Sequence, residues 1–270
     1  MLKYLYPDGK FKALTFSYDD AEVGDRRLVA LFNEHGIKGT FHLNDGKFDT
    51  GNYISATEVR DLYKGHEVAC HGVMHKHPAI MSTSEAMIEY SENRRRLEEL
   101  TGGLVRGLSY AYGEYSDEIT GVAHSCGLVY SRTVMSTYGF RIPADFMQWH
   151  PTLWHGDERL NELIDQFLNL PDYVELPLFY IWGHSFEFDR NNNWEIIEKA
   201  ADRLAGDDDT WYATNIEIYD YITAVRSLIY SVDGKTIHNP SAQTIWVRDT
   251  NASDDGNVII RIEAGATYTL

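Results

Sequence analysis

The sequence predicts an α/β fold: about seven strand–helix units, closed into a barrel rather than left as an open sheet, with a small β-rich appendage at the C-terminal end. Three observations lead there. Strand-like and helix-like segments alternate up to Leu228, the pattern of parallel βαβ units. Ionisable residues gather just past strand-like runs, at Ser17-Tyr18-Asp19-Asp20-Ala21 and at Cys70-His71-Gly72-Val73-Met74-His75, where such folds place their chemistry. After Leu228, short β-prone pieces separated by turn signals replace the alternation.

Taken in order, the apolar and β-prone residues 11–16 predict the first strand. The spacing predicts a helix over 25–35, with Leu28, Leu31 and Phe32 on one face. Residues 39–43 read as the second strand. A helix over 55–64 opens with a capping box, Ser55 and Glu58, and turns Val59 and Leu62 inward. Residues 67–70 form the third strand. Ser82 and Glu85 make a second capping box, and a long helix runs to about Leu100, ended by Thr101-Gly102-Gly103. Residues 104–110, 128–131 and 173–182 are strand-like, with helices near 157–168 and 194–204. A short strand, 211–214, precedes a last helix, 216–228. Beyond it come β-prone pieces at 229–232, 236–238, 244–247 and 258–262, with turn signals at Asp233-Gly234, Asn239-Pro240, Asp255-Gly256 and Gly265. The expected division is a barrel over 1–228 and an extension over 229–270, too short for its own core and packed on the barrel.

Composition excludes several classes. A formal net charge of −17 argues against nucleic acid and against an anionic membrane surface, and suits a neutral or cationic substrate. No GxGxxG or GxxxxGK[ST] run follows a strand, so nucleotide binding through such a loop is unsupported. The first nine residues contain no apolar h-region, and no apolar run reaches a membrane span. A cytoplasmic location is therefore expected, with secretion still open. Cys70 and Cys126 are too few and too far apart for a disulfide framework, which favours a reduced compartment. Oligomeric state is left open.

The strand-end residues supply two carboxylates and two imidazoles. One carboxylate and two imidazoles hold a divalent metal with positions left open, and the second carboxylate stays free as a base. Each part has a plainer reading. Asp-Asp suits a turn, and histidines four apart share one face of a helical turn on many surfaces. A third strand end, Tyr180-Ile181-Trp182-Gly183-His184-Ser185, makes His184 a general-acid candidate, or else a satisfied core histidine.

These motifs resemble those of the NodB-homology polysaccharide deacetylases, carbohydrate esterases with a distorted (β/α)7 barrel. Thr15-Phe16-Ser17-Tyr18-Asp19-Asp20-Ala21 is similar to the family's T-F-x-x-D-D stretch. Gly65-His66-Glu67-Val68 followed by His71-Gly72-Val73-Met74-His75 is similar to its G-H-E-[IV] and H-[ST]-x-x-H, with Gly72 in place of the hydroxyl residue and His77-Pro78 beyond. Gly39-Thr40-Phe41 fits its G-x-x-x-T-F-F region, and the strand ending in His184 fits the motif of the catalytic acid. The resemblance spans roughly residues 10–225. It implies Asp19 as catalytic base, Asp20, His71 and His75 as metal ligands and His184 as acid. It also implies a metal, zinc first, with Co2+, Ni2+ or Mn2+ open, and an acetylated carbohydrate as substrate. The family's third motif, R-x-P-Y-G, corresponds to Ser109-Tyr110-Ala111-Tyr112-Gly113. Tyr112 keeps its place, so its backbone N–H is the expected oxyanion donor. Ser109 stands where the arginine that orients the base belongs, and Arg106, three residues earlier on a strand, points elsewhere. For the fourth motif the stand-in is the 147–155 stretch, with His150 orienting Asp19 and Trp154 walling the acetyl pocket; Trp149 and Trp154 read equally as core aromatics. Two rivals stay open: hydrolysis of a non-sugar or cyclic amide, and a carbohydrate-binding protein without full catalysis.

Overall fold

The computed structural model describes residues 2–250 and 258–270; the turn signal Asp255-Gly256 lies outside them. The elements are β1 (Leu2–Leu5), β2 (Lys12–Asp19), α1 (Asp25–Glu34), β3 (Gly39–Leu43), α2 (Val59–Leu62), β4 (Glu67–Cys70), α3 (Thr83–Thr101), β5 (Gly107–Ser109), α4 (Asp117–Ser125), β6 (Tyr130–Arg132), β7 (Leu153–Trp154), α5 (Leu160–Leu168), β8 (Leu178–His184), α6 (Phe186–Asn191), α7 (Glu195–Leu204), β9 (Thr210–Tyr212), α8 (Asn215–Arg226) and β10 (Ile229–Tyr230). They end with β11 (Thr236–His238), β12 (Ile245–Asp249), β13 (Val258–Ile262) and β14 (Thr267–Thr269). No helix among the described residues is long and apolar enough to cross a membrane.

The main sheet is parallel and curled, in the order β6-β5-β4-β3-β2-β8-β7, with β9 pairing the start of β2. The outer edges approach each other through a bridge between Arg132 and Trp149, ahead of β7. β2 is buried along its whole length because β8 flanks one side and β9 then β3 share the other. Its alternation sorts chemistry from packing. Phe16 and Tyr18 pack towards Phe32 of α1. Thr15, Ser17 and Asp19 take the opposite face, which is polar: Thr15 Oγ1 donates to Asn215 Oδ1 at 2.9 Å, and Arg132 Nε to Ser17 Oγ at 3.1 Å. Deeper in the barrel, burial pushes the Glu67 carboxyl up to about 7, although it accepts from Tyr130 Oη, Thr40 Oγ1 and the Ile216 N–H.

Both capping boxes form, at Ser55/Glu58 and Ser82/Glu85. Gly102 ends α3 in the left-handed region, φ 74°, where a side chain would strain the backbone. Several boundaries differ from the expected ones. The first strand runs on to Asp19, so Asp19 is its last residue. The strand expected at 104–110 is only Gly107–Ser109, and that at 173–182 starts after Pro177 and reaches His184. The one expected at 128–131 is shifted to Tyr130–Arg132.

The appendage forms two antiparallel sheets, β10-β11-β14 and β1-β12-β13. The second recruits β1 from the other end of the chain, with Leu2 opposite Asp249 and Leu5 opposite Trp246. This sheet thus pairs residues from both sides of the expected 228/229 boundary. A shared core places Ile237, Ile245, Val247 and Ile262 against Tyr6, Ile218, Tyr221 and Ile222. Cys70 and Cys126 are both free thiols.

Candidate active site

Strand register brings the site together. Asp19 on β2 is level with His42 on β3 and His184 on β8, while Ser109 on β5 is level with Arg132 on β6. The strand ends thus deliver the reactive groups to one rim, the C-terminal side of the sheet. Asp20 and Ala21 then leave β2 with φ 85° and 63°, a costly left-handed turn that puts two adjacent carboxylates to different uses.

The loop after β4 carries His71 and His75, and it is irregular rather than helical. The expected i, i+4 helical pairing is therefore not what joins them. Gly72 at φ 78° and His75 at φ 56° fold the loop back, and the two rings meet 4.7 Å apart. Two buried asparagines clamp the turn. Asn93 Oδ1 of α3 accepts from the N–H groups of His71 (3.0 Å) and Gly72 (3.1 Å), and Asn44 Nδ2 donates to their carbonyls at 2.6 and 2.8 Å. Glu89 Oε2 accepts from the Met74 N–H at 2.9 Å. A Cβ on Gly72 would sit 3.3 Å from that same oxygen, so both the φ and the space suit glycine there.

One ligand atom from each of Asp20, His71 and His75 falls within 4.8 Å of the other two. His71 Nδ1 donates to the Ser109 carbonyl at 2.8 Å, so its proton is on Nδ1 and its Nε2 presents a lone pair. That Nε2 and Asp20 Oδ1 are both buried without a hydrogen-bond partner among the described residues. Orphaned acceptors normally carry a penalty of about 1–3 kcal/mol. A small cation with open positions fits the donor set, one carboxylate oxygen and two neutral imidazoles. Burial holds both imidazoles in the neutral form that a metal needs, with His71 lowered to about 4 and His75 lowered as well.

Asp19 sits beside this set and is engaged differently. Burial alone would raise its pKa, but Arg132, His71 and His42 outweigh it and hold the carboxyl well below the usual range. Arg132, fully buried, forms an ion pair with Asp19 Oδ2 through Nη2. Its other donors reach Ser17 Oγ and the Thr133 carbonyl, and its guanidinium lies 4.4 Å over the Trp182 ring. Ser109 donates its hydroxyl to Asp19 Oδ1 at 3.1 Å. An arginine thus reaches this carboxylate from the next strand, β6, and Ser109 binds the same carboxylate as a neutral donor. Arg106 does point elsewhere, to Asp220 at 2.5 Å.

His150 does not take the expected role. Its Nδ1 lies 2.6 Å from Thr133 Oγ1, and it lines a separate hollow with Arg141 and Asp145. Arg132 already fills the space against Asp19. Trp154 does wall the site, and its indole N–H donates to Glu187 Oε2 at 2.9 Å. Tyr112 follows β5 at the mouth, half exposed, with φ 59°.

His184 faces Asp19 and Asp20 across a pocket of about 650 Å³ lined by His71, His75, Tyr112 and Trp182 as well. Burial disfavours its charged form, but Glu187, Asp19 and Asp20 overcome this, and its pKa is raised. Glu187 Oε2 lies 3.4 Å from His184 Nδ1 and 3.2 Å from His155 Nε2. Burial opposes the Glu187 charge too, yet these imidazoles and Trp154 hold it strongly ionised. A larger hollow of about 710 Å³, lined by Lys64, His66 and Glu67, lies at the opposite, N-terminal end of the strands, away from the ligand cluster.

Residues 6–131 match the family model for polysaccharide deacetylase, a span holding Asp19, Asp20, His71 and His75. The N-terminal part of the chain is therefore similar to the polysaccharide deacetylases. The chain's fold is shared with several solved structures. A structure from Mycobacterium smegmatis assigned as a polysaccharide deacetylase superposes with a TM-score of 0.64 at 20 % identity, covering 83 % of this chain and 94 % of that one. The Xyl-CE4 domain of a multidomain xylanase from the hindgut metagenome of Trinervitermes trinervoides gives 0.55 at 14 % identity, covering 80 % and 92 %. A family 4 carbohydrate esterase from Streptomyces lividans, in complex with acetate, gives 0.50 at 17 % identity, covering 73 % and 90 %. No curated protein sequence matches the chain.

Three residues of the candidate site escaped sequence reasoning: His42, Arg132 and Glu187. Arg132 carried a usable signal, since it directly follows a strand-like run, as the other reactive groups do. Glu187 stands three residues after His184 on the turn into α6. His42, inside an apolar strand, carried none.

Proposed function

We propose that the protein is a metal-dependent hydrolase that removes acetyl groups, N-acetyl first, from a carbohydrate. One observation carries the reading: candidate ligand atoms of Asp20 and His71 are buried, unpartnered among the described residues and convergent with His75, beside a separately held and ionised Asp19. Asp20, His71 and His75 would hold a divalent cation, zinc before Co2+, Ni2+ or Mn2+. Held there, such a cation would supply Lewis acidity towards water and the acyl carbonyl. Asp19, kept charged by Arg132 and aimed by Ser109, accepts the proton of the attacking water. The backbone N–H of Tyr112 donates to the oxyanion that develops on the acyl carbonyl oxygen. His184, with its proton favoured by Glu187, protonates the departing amine, which would otherwise leave as a high-energy anion. Trp154 closes one wall against the acyl group.

The test is metal content of the purified chain together with acetate release from acetylated oligosaccharides and from small non-sugar amides. About one divalent ion per chain, with release from the oligosaccharides, is the expected result. Turnover of the small amides alone would replace the carbohydrate reading with the amide one. Metal-free protein that releases acetate at full rate would remove the metal from the proposal.

A further inference from the structure

His77, beyond the second motif, takes no part in the chemistry above. It nevertheless ends a chain of contacts that begins at a metal ligand. His71 is fixed through Nδ1 by Ser109, whereas no other residue holds Nδ1 of His75 in that way among the described residues. The His75 ring is instead packed edge-on against the Tyr112 ring, 4.5 Å between centroids and 74° between planes. Tyr112 stacks flat on His77, at 3.6 Å and 2°. His77 Nδ1 lies 3.4 Å from both carboxylate oxygens of Glu114, and Glu114 Oε2 also accepts from the Ala79 N–H at 3.3 Å. Both His75 and Tyr112 hold left-handed backbone, φ 56° and 59°, which persists only where the surroundings enforce it.

We infer that Tyr112 and His77 are positioning residues for the third metal ligand, their stacked rings backing the His75 imidazole so that Nε2 stays aimed at the carboxylate of Asp20. His75 Nε2 stands 3.6 Å from Asp20 Oδ1, the spacing of two groups that share a cation rather than a hydrogen bond. An imidazole held only by ring packing loses its aim when the packing ring is removed. Groups that orient a metal ligand from behind typically carry a factor of 10–100 in metal affinity. The inference rests on the metal reading above.

The experiment is competition for Zn2+ against a chromophoric chelator, using the full chain and the variants Tyr112→Ala, Tyr112→Phe, His77→Ala and His77→Phe. The apo-protein melting temperature of each is measured alongside, and the visible spectrum of bound Co2+ reports ligand geometry. Both alanine variants should bind Zn2+ about 10–100-fold more weakly and alter the Co2+ spectrum, with melting unchanged. The phenylalanine variants keep the rings and should bind as the wild type does. Retention by His77→Phe also shows that His77 is no ligand itself. Wild-type affinity in Tyr112→Ala, with only KM raised, would overturn the inference and make the ring a substrate platform. Affinity lost only in step with melting temperature would overturn it too. A wild-type chain that binds neither Zn2+ nor Co2+ brings down the metal reading, and this inference with it.

Discussion

At the residue scale, the site is organised by which charges are paired and which are left free. Asp19 is buried, and it stays ionised against that burial chiefly because Arg132 is buried with it, helped by His71 and His42. An ion pair of this kind is weak evidence for stability as a pair, but removing one partner strands the other and costs about 3–5 kcal/mol. Arg132→Met should therefore lower stability by about that amount at neutral pH and remove most activity. The sign with pH follows from the depressed Asp19 pKa. The stabilisation from the pair is fully present above the ordinary carboxylate value near 3.8 and is lost as pH falls through the lower folded value. The gap in melting temperature between wild type and Arg132→Met should thus narrow towards acid. A gap that stays constant with pH would show that Arg132 acts by packing alone. His150→Ala, by contrast, should leave turnover close to wild type. The raised pKa of His184 predicts the other limb of the activity profile. Activity should fall as alkaline pH removes its proton, and Glu187→Gln should move that fall to lower pH by withdrawing the anion that favours the proton. His184→Ala should slow an acetamide substrate about 10²–10⁴-fold, yet an activated aryl acetate far less, because a good leaving group needs no acid. Equal losses on both substrates, with fold and metal retained, would return His184 to a structural role.

At the element scale, the strands set the row of reactive groups and the loops between them set their aim. The metal loop is held by α3 through Asn93, fully buried, which accepts from two loop amides and donates to the Leu43 carbonyl at 3.0 Å and to Asp45 Oδ1. Asn93→Leu keeps the bulk and deletes all four bonds. Each stranded buried group costs about 1–3 kcal/mol, so the loss should exceed about 2 kcal/mol and weaken metal binding as well. A variant with unchanged chemical-denaturation midpoint and metal affinity would show that the loop holds itself. The same elements explain what the sequence made legible. Capping boxes at Ser55 and Ser82 and the Gly102 stop are local signals, written in neighbouring residues, and they mark true helix starts and ends. Asp19, Asp20, His71, His75 and His184 were legible because strand ends and motif spacing are local too. His42 was not, and Arg132 showed only its place after a strand-like run, because both meet Asp19 through pairing between strands, and register is a tertiary property. Ser109 marked where the usual arginine was missing, but nothing near it in sequence said which residue had taken over. The helical pairing expected of His71 and His75 failed for a local reason: Gly72 and His75 adopt positive φ, which no helix tolerates.

At the scale of the whole molecule, the two ends of the chain are built into one another. The β-prone pieces after Leu228 were legible from their turn signals, and all four are strands close to where they were expected. What they pair with was not, because β1 is a short piece with no strand partner near it in sequence. β12 lies between β1 and β13, and Tyr221 of α8 ties the join by donating its hydroxyl to the Leu5 carbonyl at 2.5 Å while accepting from the Trp246 N–H at 3.2 Å. Ile237, Ile245, Val247 and Ile262 are each at most 1 % exposed, and burying such a side chain is worth roughly 1.5–3 kcal/mol. Four of them together rival the 5–15 kcal/mol, roughly, by which a folded domain exceeds its unfolded chain. Removing residues 229–270 would also uncover Tyr6, Ile218, Tyr221 and Ile222 on the barrel and leave β1 without its partner strand. The truncated chain should therefore aggregate or melt far below the full chain, although every reactive residue of the site remains in it. The full chain should unfold in one cooperative transition, with the site and the appendage lost together. Calorimetry of both chains, with tryptophan fluorescence as a second probe, reads this directly. A soluble truncated chain with the melting temperature and metal affinity of the full one would make the appendage a passive lobe. Two separate transitions in the full chain would mean that the shared core does not couple it to the barrel.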